Sequence, residues 1–337
     1  MSVFGIKDIA VYLPERVVTN DELVAQHGFD STFLEQKLGI RERRIAAPGE
    51  TTSELAEKAV QSLFGRNPQL RASDVELLIC CTQNADFRLP HMAAILQHRL
   101  GLPNHAACFD MNLGCSGFVY SLGTATAFMQ THGYRSGLVV TADPYSRILD
   151  RSDRTTAPLF GDAAAATWIG DKAANTIGRF TFGTDGSGFE NLICPHGPDI
   201  PWDPIPNNPS TRDSGGSRAV LKMNGRAIFE FVLKTIPTDV AQCLEINQLQ
   251  KEDVDYFIFH QASAYLVDYL RRKLDIDSQR VPICLEKTGN TVSSSIPLCL
   301  HELSLKKELG GATIMLTGFG VGLSWASTVI RYELCEA

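Results

Sequence analysis

Several features that would assign this chain to common protein classes are missing. No run of about eighteen apolar residues occurs, so no transmembrane helix is expected. The first twenty residues lack a basic start followed by an apolar stretch, so we expect no secretory signal. Basic residues are in deficit, 31 Lys and Arg against 38 Asp and Glu, and the net charge of −7 disfavours nucleic-acid binding. There is no CxxC pair and no histidine cluster, so no metal site is predicted.

The chain does contain nine cysteines, scattered over 337 residues. An odd, scattered set does not suit a disulfide framework, and it favours a reducing, intracellular setting. We therefore predict a cytoplasmic protein that does not bind membranes. The length allows two domain-sized halves or one large α/β unit.

Short apolar runs alternate with segments of helical character, which predicts an α/β protein whose strands are covered on both faces. The strand-like runs are 76–82, 137–143, 164–170, 256–262 and 312–319. The helix-like segments are 51–64, 92–101, the segment after Cys115, 227–245 and 265–274.

A weak internal repeat accompanies this alternation. The string DVELLICCTQNA begins at Asp74, and DVDYFIFHQASA begins at Asp253. Each is followed by a helix-like stretch, an expected apolar strand and a glycine turn. A duplicated chain would give two similar halves, 1–172 and 173–337, each carrying one side of a shared site. Chance similarity between two βαβ pieces is the alternative reading.

Three residues could carry chemistry at the predicted turns. Cys115, in NLGCSGFVYSL, stands between glycines before a helix, where the thiolate is favoured and the backbone N–H can face an oxyanion. His260 ends an apolar strand, and Asn290 follows Gly289. Each alone also reads as structural: a small core residue, a histidine at a sheet edge and a helix N-cap. Together, a thiol, an imidazole and an amide suit carbon–carbon bond formation through a thioester and an enolate.

The sequence resembles the β-ketoacyl-acyl-carrier-protein synthase III family of the thiolase superfamily along nearly its whole length. The motifs that carry the resemblance occur in the family's order: GIKDIAVYLPERVVTNDEL, LGIRERRIAAPGET, LGCSGF, DRSDRTTAPLFGDAAAA, HQAS, GNTVSSS and a C-terminal glycine loop, GFGVGLSWAS. The resemblance implies a five-layered αβαβα thiolase-like fold built of two pseudo-repeated halves. It also implies a homodimer.

The resemblance further implies the roles of the site residues. Cys115 would take an acyl group from an acyl thioester, usually acyl-CoA. His260 and Asn290 would bind malonyl-ACP or malonyl-CoA and stabilise the enolate formed by decarboxylation. The backbone N–H groups of Cys115 and Val321 would form the oxyanion site. The product would be a β-ketoacyl thioester on acyl carrier protein (ACP), made without a metal or redox cofactor.

The expected substrate-binding residues depart in part from the family pattern. Phe33 stands where the family usually has a tryptophan, and Lys37 stands where it usually has an arginine. Arg154 is retained, and Gly225 matches a substrate-binding position. The asparagine of the histidine motif is Ser263. These changes leave the acyl donor open.

Carrier-protein docking also departs from the pattern. Arg272 and Lys273 keep the basic character expected of docking residues, whereas two further docking positions read Glu230 and Tyr265. The proline-rich segment 195–219 exceeds the usual length, and Trp202 within it is a candidate lid over the acyl tunnel. These features suggest fatty-acid initiation with an unusual donor, or a specialised secondary-metabolite pathway.

Three other functions compete with condensation. An acyltransferase of the same fold would move the acyl group to an oxygen or nitrogen nucleophile, but it would not need Asn290. A condensing enzyme of the hydroxymethylglutaryl or head-to-head type would need a carboxylate base, yet Thr82, Gln83 and Asn84 stand where one is expected, and only Asp86 is near. A silent partner subunit would be expected to lack the cysteine or the histidine.

Overall fold

The computed structural model describes residues 4–171, 173–194, 220–305 and 309–332. The segment 195–219, with Trp202, lies outside the described residues. The strands are β1 (Phe4–Tyr12), β2 (Arg16–Thr19), β3 (Glu42–Ile45), β4 (Leu77–Cys81), β5 (Ala107–Met111), β6 (Ser136–Ala142), β7 (Ala164–Asp171), β8 (Asn175–Ile177), β9 (Thr181–Thr184), β10 (Leu192–Ile193), β11 (Lys222–Met223), β12 (Tyr256–Phe259), β13 (Thr313–Gly320) and β14 (Ser324–Tyr332). The helices are α1 (Asn20–His27), α2 (Thr52–Arg66), α3 (Met92–Arg99), α4 (Gly117–His132), α5 (Gly225–Ile246), α6 (Ala264–Lys273) and α7 (Ser295–Leu305).

Two five-stranded sheets form the framework. The first has the order β1-β7-β6-β4-β5, in which β6, β4 and β5 run parallel and β1, β7 and β6 are joined antiparallel. The second has the order β12-β13-β14-β8, with β9 also paired to β14. Its β12 and β13 are parallel, and β14 is antiparallel to its neighbours. Both sheets therefore join a parallel part to an antiparallel part.

Successive strand residues point to opposite faces, so each sheet is packed on both sides. In β4, Ile79 belongs to the central core, whereas Leu78 packs outward with α2 and α3. In β12, Ile258 belongs to the same central core, and Phe257 packs outward with α5 and α6. The central core also contains residues of α4 and α7, which lie between the sheets. The layers are thus α2/α3, sheet, α4/α7, sheet and α5/α6, which confirms the expected αβαβα fold.

The repeat is visible in the order of elements. Short 3-10 turns, Ala72–Asp74 and Lys251–Asp253, precede β4 and β12, and each begins with a capping box. The order β4, α3, α4, β6, β7 in the first half corresponds to β12, α6, α7, β13, β14 in the second half. The corresponding strands have the same position and direction in their sheets. The boundary at 172/173 falls between β7, in the first sheet, and β8, in the second, and it stays a prediction.

The second copy differs at the stretch before Asn290, where the expected apolar strand is not formed. Only an isolated bridge joins Asn290 to Phe160. The Asn290 N–H donates to the Leu159 carbonyl at 2.9 Å, and the Gly161 N–H donates to the Asn290 carbonyl at 3.0 Å. The backbone groups of Asn290 are therefore bonded to a loop of the first half rather than to a strand of the second sheet.

None of the helices in the described ranges is both long and apolar enough to cross a membrane.

Candidate active site

Cys115 lies in the tight turn that joins β5 to α4. The Gly117 N–H donates to the Gly114 carbonyl at 2.8 Å, which closes the turn. The cysteine side chain is buried, with 5% of its surface exposed. A methyl group added at Gly320 would lie 2.8 Å from the Cys115 Sγ, so β13 can pass the thiol only because it carries glycine there.

The sequence predicted a glycine loop over the whole run GFGVGLSWAS, but only part of it is a loop. Gly318 and Gly320 lie within β13, and the turn to β14 is confined to residues 321–323. A methyl group at Gly318 would lie 2.8 Å from the Ser116 Cα. The glycines serve the close approach of a strand to the cysteine turn rather than a flexible loop.

Burial dominates the electrostatics of the cysteine. It raises the pKa of the Cys115 thiol to about 12, although hydrogen bonds to the backbone of Val321 and of Cys115 itself lower it. The nearby Asp143 carboxylate adds to the rise. The desolvation of the thiol therefore outweighs the helix N-terminus, which favours the thiolate. The backbone groups of Val321 and Cys115 nevertheless both bond the sulfur, so they lie beside the carbon that the thiol would attack.

His260 directly follows β12 and is 2% exposed. The backbone N–H of His260 donates to the Thr317 carbonyl at 2.8 Å, so β13 holds this residue in place. The Nδ1 atom lies 2.7 Å from the Ser295 Oγ, and the Phe319 ring packs edge-on at 5.7 Å. Burial lowers the pKa of His260 to about 3, although a hydrogen bond to the Val292 backbone opposes this. The imidazole is therefore neutral at physiological pH.

Asn290 is 3% exposed and is oriented by one backbone contact. Its Oδ1 accepts the Val292 N–H at 2.9 Å. Val292 adopts φ of 53°, an uncommon value for a β-branched residue, within the tight turn that contains this contact. The Asn290 Nδ2 makes only a long contact, 3.5 Å to the Ala262 carbonyl. With its oxygen occupied, the amide presents its N–H groups as the available donors.

The strand β13 is the common neighbour of the cysteine and the histidine. Gly320 and the next residue, Val321, contact Cys115, while Thr317 and Phe319 of β13 contact His260. The segment that carries Asn290, residues 284–299 (the asparagine segment), reaches both residues. Its Ser295 contacts His260, and a methyl group at Gly117, in the cysteine turn, would lie 3.9 Å from its Ser293. The segments that carry Cys115, His260 and Asn290 therefore meet in one region of the structure.

Sequence reasoning missed a buried carboxyl group next to these residues. Asp143 has no exposed surface and accepts the Gln83 N–H at 2.7 Å and the Ser293 hydroxyl. Burial raises its pKa to about 6. Gln83 in turn accepts the Tyr145 hydroxyl at 2.6 Å. Asp143 stands at the carboxyl end of the predicted strand 137–143, and an acidic residue in that position was the available signal.

Asp86, the acidic residue noted from the sequence, has a different role. Its carboxylate accepts the N–H groups of Thr52 at 2.7 Å and Ser53 at 3.1 Å. It therefore satisfies the first turn of α2 rather than serving the cysteine. The described residues contain no group of three or more His, Cys, Asp or Glu side chains placed to hold a metal ion.

The predicted substrate-binding residues divide into two sets. Phe33 begins a π-helical turn (Phe33–Leu38) and is 38% exposed, and the Lys37 Nζ lies 4.8 Å from the centre of the Tyr265 ring. Ser263 caps α6, and its Oγ accepts the Leu266 N–H at 3.2 Å. The turn with Phe33 and Lys37 therefore lies against α6, the helix that Ser263 caps. Arg154 and Gly225 are exposed on other elements, the segment after β6 and the start of α5.

The predicted docking residues stand on α6. Arg272 and Lys273 are exposed in its last turn. Arg272 pairs with Asp268 at 3.0 Å and lies 5.6 Å from the centre of the Tyr269 ring. Tyr265 and Lys37 continue the same surface toward Phe33. Cationic and aromatic groups therefore alternate along this side of the molecule.

Comparison with known proteins places the chain in a family. Models described as 3-oxoacyl-(acyl-carrier-protein) synthase III and its C-terminal part match residues 109–186 and 244–332. A β-ketoacyl-acyl-carrier-protein synthase III of Clostridium acetobutylicum is 35% identical over 322 residues, which are 95% of this chain and 96% of that protein.

Solved structures agree with this match. A 3-oxoacyl-(acyl-carrier-protein) synthase III shares 40% identity and a TM-score of 0.89, over 98% of this chain and 100% of the other. A priming β-ketosynthase from the R1128 polyketide biosynthetic pathway shares 28% identity and a TM-score of 0.87, over 98% and 97% of the two chains. The chain belongs to the β-ketoacyl-acyl-carrier-protein synthase III family, and it is an acyltransferase of the condensing type.

Proposed function

We propose that this enzyme transfers an acyl group from acyl-CoA to Cys115 and then condenses it with malonyl-ACP or malonyl-CoA. The observation that carries the proposal is a pair of donors. His260 is buried and neutral beside the strand that lines Cys115, and the Asn290 amide has its oxygen bonded to Val292 and its N–H groups available. Two such donors suit the carbonyl oxygen of a thioester that is becoming an enolate.

In the first half-reaction, the Cys115 sulfur attacks the acyl-CoA carbonyl, and the oxyanion is received by the N–H groups of Cys115 and Val321. The tetrahedral intermediate collapses to acyl-Cys115. The departing CoA thiolate takes the proton that the cysteine gave up. Because burial raises the pKa of the Cys115 thiol to about 12, we propose that the proton leaves as substrate binds.

In the second half-reaction, the malonyl thioester carbonyl lies between His260 and Asn290. Loss of carbon dioxide leaves an enolate, whose carbon attacks acyl-Cys115 and forms the new carbon–carbon bond. The Cys115 thiolate is released and regains a proton, and a β-ketoacyl thioester departs. The electron pair for the new bond comes from the lost carboxylate, so we propose that no metal or redox cofactor takes part.

An acyltransferase without condensation is the second candidate function. It would use Cys115 and its oxyanion donors in the same way, and it would pass the acyl group to an alcohol or amine. The oriented Asn290 amide favours condensation, because direct transfer forms no enolate.

The donor is proposed only by class. The polyketide-pathway neighbour and the Phe33 and Lys37 replacements are compatible with a specialised priming role, and the other relatives with fatty-acid initiation. Phe33, Lys37, Arg154, Gly225 and Ser263 are proposed to contact the CoA or pantetheine part. We further propose a cytoplasmic homodimer.

The test is intact-mass profiling of the enzyme against acyl-CoAs of increasing chain length, followed by malonyl-ACP. A single adduct on Cys115, discharged by malonyl-ACP with formation of a β-ketoacyl thioester, is expected. The Cys115→Ala variant should form no adduct. Adducts that persist with malonyl-ACP but discharge to an amine or alcohol would support the transferase instead.

Carrier docking has its own test. Reversing the charge of Arg272 or Lys273 to Glu should raise KM for malonyl-ACP and leave KM for malonyl-CoA unchanged, because we expect only the carrier protein to reach the last turn of α6. An equal effect on both substrates would place these residues outside the docking surface.

A further inference from the structure

Two cysteines at either end of the asparagine segment lie in direct contact. The Sγ atoms of Cys284 and Cys299 are 2.7 Å apart. A disulfide bond is about 2.05 Å long, so only a small shift separates this contact from a covalent bond. Neither thiol takes part in the reaction proposed above. The pair is therefore placed for a chemistry that the condensing function does not explain.

We propose that Cys284 and Cys299 are a reversible oxidation site, whose disulfide closes the segment that carries Asn290 and braces it against His260. The expected oxidant is a low-molecular-weight disulfide such as oxidised glutathione. The formation of the bond does not rest on the proposed function, and only its consequence for catalysis does.

The two thiols differ in access, and this sets the order of events. Cys284 is partly exposed, whereas Cys299 is completely buried in α7. The Cys284 thiolate attacks the small disulfide and expels one thiolate, which leaves a mixed disulfide. The Cys299 sulfur then attacks the Cys284 sulfur, and its proton passes to the second departing thiolate. Two protein thiols lose two electrons and two protons, and one small disulfide becomes two thiols.

The position of the pair determines what the bond would hold. The closed segment, 284–299, contains Asn290, Val292 and Ser295, the last of which contacts His260. The Cys284 N–H donates at 2.9 Å to the Oε1 of Gln261, the residue after His260. A bond at this place would join α7 to Cys284, which is itself hydrogen-bonded to the residue after His260.

Because the segment already has this conformation with both thiols reduced, the bond is expected to retain the site. It removes freedom from the unfolded chain, which stabilises the folded state. The condensing reaction should therefore continue in the oxidised enzyme, with greater resistance to unfolding.

The experiment exposes the whole protein to oxidised glutathione, blocks remaining thiols with N-ethylmaleimide and maps its peptides by mass spectrometry without reduction. We expect a linked peptide pair containing Cys284 and Cys299, lost on treatment with dithiothreitol. Cys108 and Cys194 are also partly exposed and report on non-specific oxidation. They should be recovered largely as maleimide adducts under conditions that link the pair.

Two variants test the order of events. Cys299→Ala should accumulate the mixed disulfide at Cys284, because the resolving thiol is gone. Cys284→Ala should leave Cys299 unmodified, because the buried thiol has no direct access to the oxidant. Recovery of Cys284 and Cys299 unlinked in the wild-type protein, or linked mainly to other cysteines, would overturn the proposal.

The bracing effect is measured separately. The linked protein should melt about 2 °C or more above the reduced protein, and the difference should vanish in Cys284→Ala. Condensation is assayed on enzyme loaded with an acyl group before oxidation, so that Cys115 is protected. A lower melting temperature or a loss of condensation in the linked protein would refute the brace. Failure to load would instead count against the proposed function, since the peptide map and melting data need no substrate.

Discussion

The Ser295 hydroxyl oxygen lies 2.7 Å from Nδ1 of His260, and both residues are 2% exposed. A neutral imidazole carries one hydrogen, and the partner of one nitrogen decides which nitrogen holds it. The Ser295 hydroxyl and the Val292 backbone both bond the imidazole, so together they fix its orientation and which nitrogen holds the hydrogen. Ser295 is in this way a positioning residue for His260.

Replacing Ser295 with Ala should therefore lower the decarboxylation rate of the malonyl substrate about tenfold, the worth of one neutral hydrogen bond. Acylation of Cys115 should be unchanged. Ser295→Thr keeps the hydroxyl and should restore most of the rate. Radiolabelled carbon dioxide release and intact-mass acylation measure the two steps. Equal losses in both steps would indicate a merely structural role.

The amide of Asn290 can be tested apart from its contact with Val292. Asn290→Ala should permit acylation but reduce carbon dioxide release about 10²- to 10³-fold, as expected for loss of one oxyanion donor. Asn290→Asp keeps an oxygen to accept the Val292 N–H but lacks the N–H donors, so it should be equally impaired. An active Asn290→Asp enzyme would show that the segment's conformation, and not the donor, is what the reaction needs.

Gly320 should tolerate no side chain. A methyl group there would lie 2.7 Å from the Cys115 Cβ and 2.8 Å from its Sγ. Gly320→Ala is expected to slow acylation about tenfold or more, because β13 or the thiol must move. Gly65→Ala is the matched control, since it lies in α2 with open space around it. The control should acylate normally and gain about 0.5–1 kcal/mol of stability. Single-turnover acylation kinetics compare the two.

Asp143 should make stability depend on pH with a known sign. Its pKa is raised from 3.8 in the unfolded chain to about 6 in the folded protein, so the folded state holds the proton more tightly. The stability it contributes is fully present below pH 3.8 and is lost as pH rises through about 6. The loss is about 3 kcal/mol at most.

Urea unfolding of the wild type and Asp143→Asn at pH 4, 5 and 7 isolates this residue from other carboxyls. The wild type should be more stable relative to the variant at pH 4 than at pH 7. A difference that does not change with pH, or one that grows at pH 7, would contradict the ionisation of a buried Asp143.

Local sequence patterns predicted much of the fold. The five apolar runs became β4, β6, β7, β12 and β13, and the helix-like segments became α2 to α6, with bounds shifted by a few residues. Strands interrupted by polar residues were less visible. In β1, Lys7 and Asp8 break the apolar run at a bulge, because the strand pairs with β7 across an irregular register.

The candidate site shows the same division. The glycine turn of Cys115, the strand end of His260 and the Gly289–Asn290 pair could be read from short stretches of sequence, because each is a local backbone device. Asp143 lay at a strand end, but its burial and its contacts with Gln83 and Ser293 depend on residues distant in the chain.

The sequence by itself determined the alternation of five strands with five helices and the family, and it supplied the three residues proposed to carry condensation. Only the tertiary structure decided the protonation of these groups, since burial moves the pKa of Cys115 up and that of His260 down. It alone also set Gly320 against Cys115 and Ser295 against His260. Such contacts join parts of the chain that no local pattern relates, because they arise from the packing of two sheets around the same pair of helices.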